Sequence, residues 1–331
     1  MPYPFLRALV LLASAIGAAS AAQAQAWPTA KPITLIVPFS AGGSVDVTAR
    51  LIGQKLGERL NQTVVIENVT GAGGVIGVAK TVQAAPDGYT IVLGADSPIA
   101  IARLVSPASV KYDALKDLAP IGLVTTAPMI IVARPGLAAN NLAEVLQLAR
   151  AQPGKLSYGT SGVGTVLQLA MEMLKEQAKV DIVHVPYRGG AQIINDVIGN
   201  QLDLAILVSI SAVPHVRSKQ VKGIAITDDK RLASLPDVPT VAETPGFKGF
   251  DVVAWTGLFA PAHTPPEIVT KLNKAVVAIM AEKDVIDHMA KLGAEPEPQT
   301  PEEFGRYINA DVAKWSKLVK EENIVIPGAG K

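Results

Sequence analysis

Five short stretches of small residues follow apolar strands in this sequence, and most of them precede an amphipathic helix. They cover residues 39–44, 68–74, 96–98, 160–165 and 187–191. The first N–H groups of a helix have no partner inside the helix, and the helix dipole places partial positive charge there. Glycine in such a loop lets the backbone approach a ligand without a Cβ in between. The pattern favours capture of an anion, although each stretch taken singly is equally compatible with a tight turn.

Other chemistries lack the residues they need. The chain has no cysteine, which excludes disulfides, thiolate catalysis and a lipid-modified N-terminal cysteine. Residues 159–163 do not match the G-x-S-x-G nucleophile elbow, and the sequence has no Gly-Lys-Ser/Thr of a phosphate-binding loop. Residues 71–77 resemble a dinucleotide-binding fingerprint, but Ile76 stands where the third glycine is required. We therefore predict neither an enzyme nor a bound cofactor.

The four histidines do not have the spacing of metal ligands. None lies four residues from another, as two ligands on one helix face would, and none belongs to a compact acidic cluster. His184 lies within an alternating strand pattern, so we interpret it as a residue of the sheet. The sequence predicts no metal site.

The charge of the chain is balanced, with 30 Lys and Arg against 29 Asp and Glu. There is no basic stripe or polybasic patch, so neither nucleic acid nor a membrane surface is an expected partner. An anion must therefore be captured by local geometry, because overall charge will not attract it.

The first 26 residues have the features of a secretory signal peptide. Arg7 supplies positive charge, residues 8–19 are apolar, and Ala24-Gln25-Ala26 forms a cleavage site before Trp27. The alternative is a transmembrane anchor, which needs about 20 apolar residues, and this apolar core is shorter. We predict cleavage near Ala26 and export to the periplasm, with no stable membrane insertion.

From residue 31 onward, short apolar runs alternate with helical patterns. This alternation predicts a parallel α/β sheet covered on both faces. Pro128 interrupts the apolar pattern at residues 121–134, so two separate strands are expected there. Three threonine or asparagine residues followed by glutamate are typical helix-capping pairs: Asn141 with Glu144, Thr264 with Glu267, and Thr300 with Glu303.

Two similar α/β series follow one another, and a helical section ends the chain. We predict a discontinuous first domain of residues 27–126 and 250–331, a second domain of residues 127–249, and a ligand cleft between them. Ligands of open α/β sheets bind at the carboxyl ends of the strands, where the loops of both domains would meet. Such a cleft suits a small molecule with a carboxylate at each end.

The sequence also resembles a known family through motifs that occur in order along almost all of the mature chain. These motifs are Trp27-Pro28, Ile36-Val37-Pro38-Phe39 with Gly42-Gly43 and Asp46, Glu67-Asn68 with Gly71-Ala72-Gly73-Gly74, Pro86-Asp87-Gly88-Tyr89-Thr90, Tyr158-Gly159-Thr160-Ser161-Gly162 with Gly164-Thr165, His184-Val185-Pro186-Tyr187-Arg188-Gly189, and Trp255-Thr256-Gly257-Leu258-Phe259-Ala260-Pro261-Ala262 followed by Thr264-Pro265. Together they resemble the extracytoplasmic solute receptors of tripartite tricarboxylate transporters, the Bug or TctC family.

This resemblance implies a periplasmic-binding-protein fold of the type II, Venus-flytrap kind. Two α/β domains would close on a ligand around a two-strand hinge. It implies a non-catalytic protein, expected to be a monomer, that hands its ligand to the membrane permease subunits of a tripartite tricarboxylate transporter. Family ligands are mostly di- and tricarboxylates, acidic amino acids and aromatic acids. Two alternatives stay open: a receptor that senses a ligand for a signalling partner, and a periplasmic enzyme on the same scaffold.

The resemblance also implies ligand contacts from both domains. The predicted ligand-binding residues are Phe39, Ser40, Ala41, Gly42, Gly43, Asp96, Ser97, Thr160, Ser161, Gly164, Thr165, Tyr187, Arg188, Gly189 and Asp203. Backbone N–H groups, hydroxyls and ordered water in residues 39–43 and 160–165 would bind carboxylates. Arg188 is either a bidentate partner of a carboxylate or a solvated or interdomain arginine. Asp203 stands before a core strand, where the family often has an acid.

Two positions depart from the family pattern. Ala41 replaces the second proline of Pro-Phe-x-Pro-Gly-Gly, which is expected to loosen that loop. Asp96 stands where relatives usually carry a small neutral polar residue, and a carboxylate in an anion site meets like-charge repulsion. We expect Asp96 either to face an ammonium or hydroxyl group of the ligand or to point into solvent.

Overall fold

The computed structural model describes residues 27–321, and the predicted signal peptide lies outside that range. The strands in this range are β1 (Ile33–Val37), β2 (Val64–Asn68), β3 (Thr90–Ala95), β4 (Leu118–Ala133), β5 (Ser157–Thr160), β6 (Val183–Pro186), β7 (Leu204–Val208), β8 (Lys222–Ile226), β9 (Val253–Pro261) and β10 (Glu295–Pro296). The α-helices are α1 (Ser44–Leu60), α2 (Val75–Val82), α3 (Ala102–Val105), α4 (Ala114–Asp117), α5 (Leu142–Ala151), α6 (Val166–Ala178), α7 (Gly190–Ile198), α8 (Ser209–Arg217), α9 (Pro266–Met280), α10 (Lys283–Lys291) and α11 (Pro301–Glu321). Short 3₁₀ turns cover Ala72–Gly74 and Val241–Glu243, and a π turn covers Ser97–Ile101.

The strands form one sheet in the order β2-β1-β3-β9-β4-β7-β5-β6, with β8 and β10 also paired to β4. In the first strand group, β1 pairs in parallel with β2 and β3. In the second strand group, β5 pairs in parallel with β6 and β7. Between the groups, β4 and β9 run antiparallel to each other. The α/β class predicted from the sequence is therefore confirmed, with two parallel strand groups on either side of a central antiparallel pair.

The expectation of two strands separated at Pro128 is wrong. A single strand, β4, runs through that residue. Pro128 is opposite Val253 of β9, whereas Met129 is opposite Val208 of β7. Proline has no N–H to donate, and it is tolerated here because the strand changes partners at this residue. β4 thus belongs to both strand groups, while the division into two domains at residues 126–127 and 249–250 stays a prediction.

Each strand group has helices packed on both faces. In β1, Ile33, Leu35 and Val37 join side chains of α1 and α9 in one buried cluster. The side chain of Ile36 points the other way and belongs to a second buried cluster, which also contains side chains of α2 and α11. Strand side chains alternate between faces, and full burial of such an aliphatic side chain stabilises the fold by about 1.5–3 kcal/mol. The first loop leaves this packed strand at its carboxyl end, after Val37.

Two of the three predicted capping pairs are confirmed. Glu144 N–H donates to the Asn141 side chain at 3.0 Å, and Glu303 N–H donates to Thr300 Oγ1 at 3.2 Å. The pair at Thr264 is wrong, because α9 begins at Pro266 with Pro265 as its N-cap.

Within residues 27–321, no helix combines the length and the apolar character that a membrane crossing requires.

Candidate ligand-binding site

The five small-residue stretches gather around two adjoining pockets. The Trp255 pocket is lined by Phe39, Gly43, Ser44, Val45, Ala95, Asp96, Ser97, Thr125, Ala127, Ser161, Val166, Leu167, Gly189, Gly190, Leu207, Val208, Ile210, Ser211, Ala254, Trp255 and Thr256. The Arg188 pocket is lined by Phe39, Gly71, Ala72, Gly73, Gly74, Ser161, Gly162, Val163, Pro186, Tyr187 and Arg188. Phe39 and Ser161 line both pockets, so the two adjoin.

Four helices begin at the wall of the Trp255 pocket. Ser44, Val166, Gly190 and Ile210 lie in the first turns of α1, α6, α7 and α8, and all four line it. α1 follows β1 of the first strand group, whereas the other three follow β5, β6 and β7 of the second. Free N–H groups and partial positive charge at helix starts stabilise an anion. The wall can therefore hold a carboxylate although no Lys or Arg side chain lines this pocket.

The first loop, residues 39–44, is held in shape by the buried carboxylate of Asp46. Its oxygens accept from Gly42 N–H at 2.9 Å, from Asn68 Nδ2 at 2.9 Å and from Arg50 at 2.8 and 3.0 Å. Asn68 also donates to the carbonyl of Phe39 at 3.0 Å. Burial raises the pKa of Asp46, but these hydrogen bonds outweigh burial and hold the pKa below its usual value. An ionised carboxylate therefore fixes this loop.

The relay loop, residues 160–165, is held in shape by a chain of neutral hydrogen bonds. Gly164 N–H donates to Gln168 Oε1 at 2.8 Å, which orients the Gln168 amide so that its Nε2 donates to His184 Nδ1 at 3.1 Å. His184 Nε2, 2.7 Å from Thr160 Oγ1, must then carry the ring proton and donate it. Thr160 in turn donates to the carbonyl of Gly162 at 3.0 Å.

This relay requires a neutral imidazole, because a protonated Nδ1 would face the Gln168 amide donor. Burial lowers the pKa of His184 to about 4. His184 lies in β6, as the sequence predicted for a residue of the sheet, but it also positions the loop that follows β5.

Asp96 is the one ionisable side chain that lines the Trp255 pocket. It is 2% exposed, so the expectation that it points into solvent is wrong. Its Oδ1 accepts from Ser97 N–H at 2.5 Å and from Ser97 Oγ at 2.9 Å, and its Oδ2 accepts from Trp255 N–H at 3.1 Å. Burial, with repulsion from Asp311, raises the pKa of Asp96 to about 7.

The loops of the two strand groups touch each other across the pockets. Ser40 N–H donates to the carbonyl of Arg188 at 3.3 Å, and Val166 N–H donates to Ser97 Oγ at 3.1 Å. A Cβ added at Gly189 would lie only 2.0 Å from Ser40 Oγ, and one added at Gly162 would lie 3.1 Å from the Cα of Gly73. Glycine is therefore required at this contact because a side chain would separate the loops.

The structure brings most of the predicted ligand-binding residues to these pockets. Those that line one or both are Phe39, Gly43, Asp96, Ser97, Ser161, Tyr187, Arg188 and Gly189. Ser40, Ala41 and Gly42 lie in the first loop without lining a pocket, and Ala41 and Gly42 are exposed. Thr160, Gly164 and Thr165 are also set back from the pockets, inside the relay loop. Tyr187 directs its hydroxyl away, to Asp196 Oδ2 at 2.6 Å.

Asp203 is not brought to either pocket. Its carboxylate pairs with Arg134 Nε at 2.9 Å and accepts from Ser157 N–H at 3.0 Å. Ser157 begins β5 and Asp203 precedes β7, so both lie at the amino ends of parallel strands, opposite the helix starts that form the site. In this structure the acid joins two strands and does not face a ligand.

Sequence reasoning missed pocket residues that lie inside strands. Thr125 of β4, Leu207 of β7, and Trp255 and Thr256 of β9 all line the Trp255 pocket. Thr125 and Thr256 hydrogen-bond to each other at 2.9 Å. A buried strand pattern gives no signal that one position faces a cavity, although Trp255 and Thr256 do occur in a motif of the family resemblance.

In residues 27–321 the structure has no group of three or more His, Asp or Glu side chains that could hold a metal ion.

The fold and the site together define a class of protein, the periplasmic solute-binding proteins. An R. palustris protein with adipate is 32% identical, with a TM-score of 0.86, covering 90% of this chain and 99% of that one. MatC from Rhodopseudomonas palustris with bound malate is 33% identical, with a TM-score of 0.83, covering 88% of this chain and 99% of that one.

Sequence comparison narrows the class to a family. The model of the tripartite tricarboxylate transporter family receptor, TctC, matches residues 48–324. A UPF0065 protein in the tcbD-tcbE intergenic region of Pseudomonas sp. (strain P51) is 34% identical over 312 residues, which cover 94% of this chain and 92% of that protein. The chain belongs to the TctC receptor family, whose members bind solutes and are not enzymes.

Proposed function

We propose that this protein captures a small carboxylate in the periplasm and delivers it to the permease subunits of a tripartite tricarboxylate transporter. The observation that carries the proposal is the convergence of four helix starts, from both strand groups, on the Trp255 pocket. Backbone N–H groups at helix starts bind carboxylates without a charged side chain. The signal peptide predicted in residues 1–26 supports the periplasmic location.

Relatives support the chemical class of the ligand. The R. palustris structure contains adipate, and MatC contains malate, and both molecules are dicarboxylates. These are ligands of those proteins, and they suggest the first compounds to test here.

A ligand in the Trp255 pocket would contact loops of both strand groups at once. Such a ligand binds more tightly when the loops touch than when they are separated. This difference in binding free energy sets how far it shifts the protein toward the arrangement in which the loops touch. A permease that recognises only this arrangement would accept the loaded receptor and ignore the empty one.

The test is a thermal-shift panel on the mature chain, residues 27–331. We expect at least one of adipate, malate, succinate, citrate and glutamate to raise the melting temperature, because a ligand at a hundredfold excess over its Kd stabilises by about 2.7 kcal/mol. A neutral sugar and a simple amine serve as controls. A shift with the sugar or amine and with none of the carboxylates would overturn the proposal.

Delivery to a permease is tested separately, by uptake of the radiolabelled ligand into cells that contain the transporter with and without this receptor. Uptake that is identical in both would contradict a role in transport and leave ligand sensing as the remaining function.

A further inference from the structure

Asp96 is a buried carboxylate with one acceptor position left unused. Three N–H or O–H groups donate to it: two from Ser97 to Oδ1 and one from Trp255 to Oδ2. A carboxylate offers about four lone-pair positions, so Oδ2 can accept one more hydrogen bond. Because Asp96 lines the Trp255 pocket, a ligand there is in a position to supply that donor.

No cation within the described residues balances the charge of Asp96. In residues 27–321, none of the ion pairs includes it. Asp311 acts on Asp96, and Asp96 in turn acts on Tyr307. Of the charged groups beyond these, Glu297 acts on Tyr307 and the cation Lys314 acts on Asp311. Buried charges in proteins are paired or they are neutralised by a proton. Asp96 therefore lacks a counter-charge that either a proton or a ligand must provide.

We propose that Asp96 determines specificity by pairing with an ammonium group of the ligand, so that the site selects an amino-carboxylate over the plain dicarboxylate of the same length. The inference rests on the proposed function, because the ligand's carboxylate still binds at the helix starts. A plain dicarboxylate would have no ammonium for Asp96 and would meet like-charge repulsion from it. Asp96 thus weakens the binding of plain dicarboxylates and strengthens the binding of amino-carboxylates.

Two pairs of ligands differ by a single amino group: aspartate with succinate, and glutamate with glutarate. Calorimetry at pH 8 is expected to show that the amino member of at least one pair binds at least tenfold more tightly. Asp96→Asn is expected to remove that preference, mainly by weakening the amino member at least tenfold, as truncation of a buried charge pair does. A preference that Asp96→Asn leaves unchanged would overturn the inference.

The matched control is Asp311→Asn. Asp311 is a half-buried acid that accepts from Trp255 Nε1 at 2.9 Å, but it does not line the pocket. We expect this variant to keep the amino preference at pH 8. If it loses the preference as fully as Asp96→Asn does, the effect comes from the support of Trp255 and the inference fails.

The pH dependence of the wild-type protein gives a second test that needs no variant. In the free protein the pKa of Asp96 is about 7, and only its ionised form attracts an ammonium. Affinity for the amino member should therefore rise at least several-fold from pH 5.5 to pH 8. A fall in affinity for the amino member over the same range would contradict the inference, because it would mean that Asp96 binds the ligand by donating its proton to a carboxylate.

Failure of the proposed function and failure of the role of Asp96 give different results. If no carboxylate binds the wild-type protein, the proposed function fails. If carboxylates bind without preference for the amino member at pH 8, the proposed function stands and the role of Asp96 fails. If Asp96→Asn does not fold, the sign of the wild-type pH dependence decides.

Discussion

The first loop and the relay loop both contribute lining residues to the Trp255 pocket, but they are stabilised in opposite ways. In the first loop, the ionised Asp46 accepts from Gly42, Asn68 and Arg50. In the relay loop, His184 works only as a neutral ring between Gln168 and Thr160. The two glycine-containing loops therefore respond differently to a change of charge. Removal of a charge disrupts the first, and gain of a charge disrupts the second.

The largest effect is expected where the two regions touch. Gly189→Ala places a Cβ 2.0 Å from Ser40 Oγ and 3.1 Å from the Ser40 backbone nitrogen. Relieving such an overlap costs about 1–3 kcal/mol, which weakens ligand affinity by roughly tenfold to a hundredfold if it separates the loops. Calorimetric titration with the best carboxylate of the thermal-shift panel measures this.

Two further variants show whether contact between the loops is the cause. Ser40→Gly in the Gly189→Ala background removes the overlapping side chain and should restore most of the affinity. Gly305→Ala is the matched control. Gly305 lies in α11, away from both pockets, and its new Cβ would meet only Pro120, at 3.9 Å. Equal loss of affinity in Gly189→Ala and Gly305→Ala would show that the contact is not needed.

The next largest effect is expected from removing the charge that fixes the first loop. Asp46→Asn replaces a carboxylate that is 2% exposed and that accepts four hydrogen bonds. We expect the free energy of unfolding to fall by about 2 kcal/mol, because hydrogen bonds to a charged group are lost and a buried donor is left without a partner. Urea unfolding measures the change.

The control for Asp46→Asn is Asp87→Asn. Asp87 also accepts from a basic residue, Lys31, at 2.9 Å, but both side chains are substantially exposed. A surface ion pair of this kind contributes at most about 1 kcal/mol, so this variant should change unfolding little. A larger loss in Asp87→Asn than in Asp46→Asn would contradict our account of the first loop.

Acid is expected to lower the free energy of unfolding by a smaller amount. The pH range of this loss should differ between the two loops. Burial lowers the pKa of His184, Glu172 raises it and Lys175 lowers it, with a net value of about 4. The unfolded chain takes up the proton near pH 6.5, whereas the folded protein resists it down to about pH 4, so stability is lost as pH falls through this interval. Allowing for partial exposure of the ring, the loss is about 1–2 kcal/mol.

The contribution of Asp46 has a different pH window. Its pKa is lowered in the folded protein, so its stabilisation is present above the usual value of 3.8 and is lost only as pH falls through the lowered pKa.

Between pH 7 and pH 4.5 the acid sensitivity should therefore come from His184. Urea unfolding at pH 7, 5.5 and 4.5 should show a steeper loss of the free energy of unfolding for wild type than for His184→Gln. Parallel curves for the two proteins would mean that His184 does not carry the acid sensitivity.

The smallest effect is expected at Ala41, the position at which the first loop departs from the family pattern. Its side chain is exposed and lines neither pocket. Ala41→Pro should raise the free energy of unfolding by at most about 1 kcal/mol through the unfolded chain, and it should leave affinity unchanged. A tenfold change in affinity would show that the loosened loop matters for binding.

Much of the fold could be predicted from the sequence because strand and helix periodicity reports burial directly. The predicted alternation of strands and helices from residue 31 onward is present, and two capping pairs form as expected. The strand through Pro128 could not be predicted, since local preference is overridden where β4 exchanges one partner strand for another.

The site was less predictable, because its chemistry depends on neighbours that are distant in the sequence. Asp203 precedes β7 and so lies at the amino end of that strand, where Arg134, 69 residues away in the sequence, pairs with it. Asp96 is buried because residues of β9 and α11 lie against it. This could not be predicted locally, because Trp255, which donates to it, is 159 residues away in the sequence. His184 reads as a sheet residue until Gln168 and Thr160 are placed against its two nitrogens.

A crystal structure of the mature chain with its tightest-binding carboxylate tests the central claim most directly. Our account predicts a ligand carboxylate 2.7–3.2 Å from backbone N–H groups at the starts of helices in both strand groups, at α1 on one side and at α6 or α7 on the other. A ligand held by one strand group alone, or held through Arg188 with no N–H contact from α1, would contradict it.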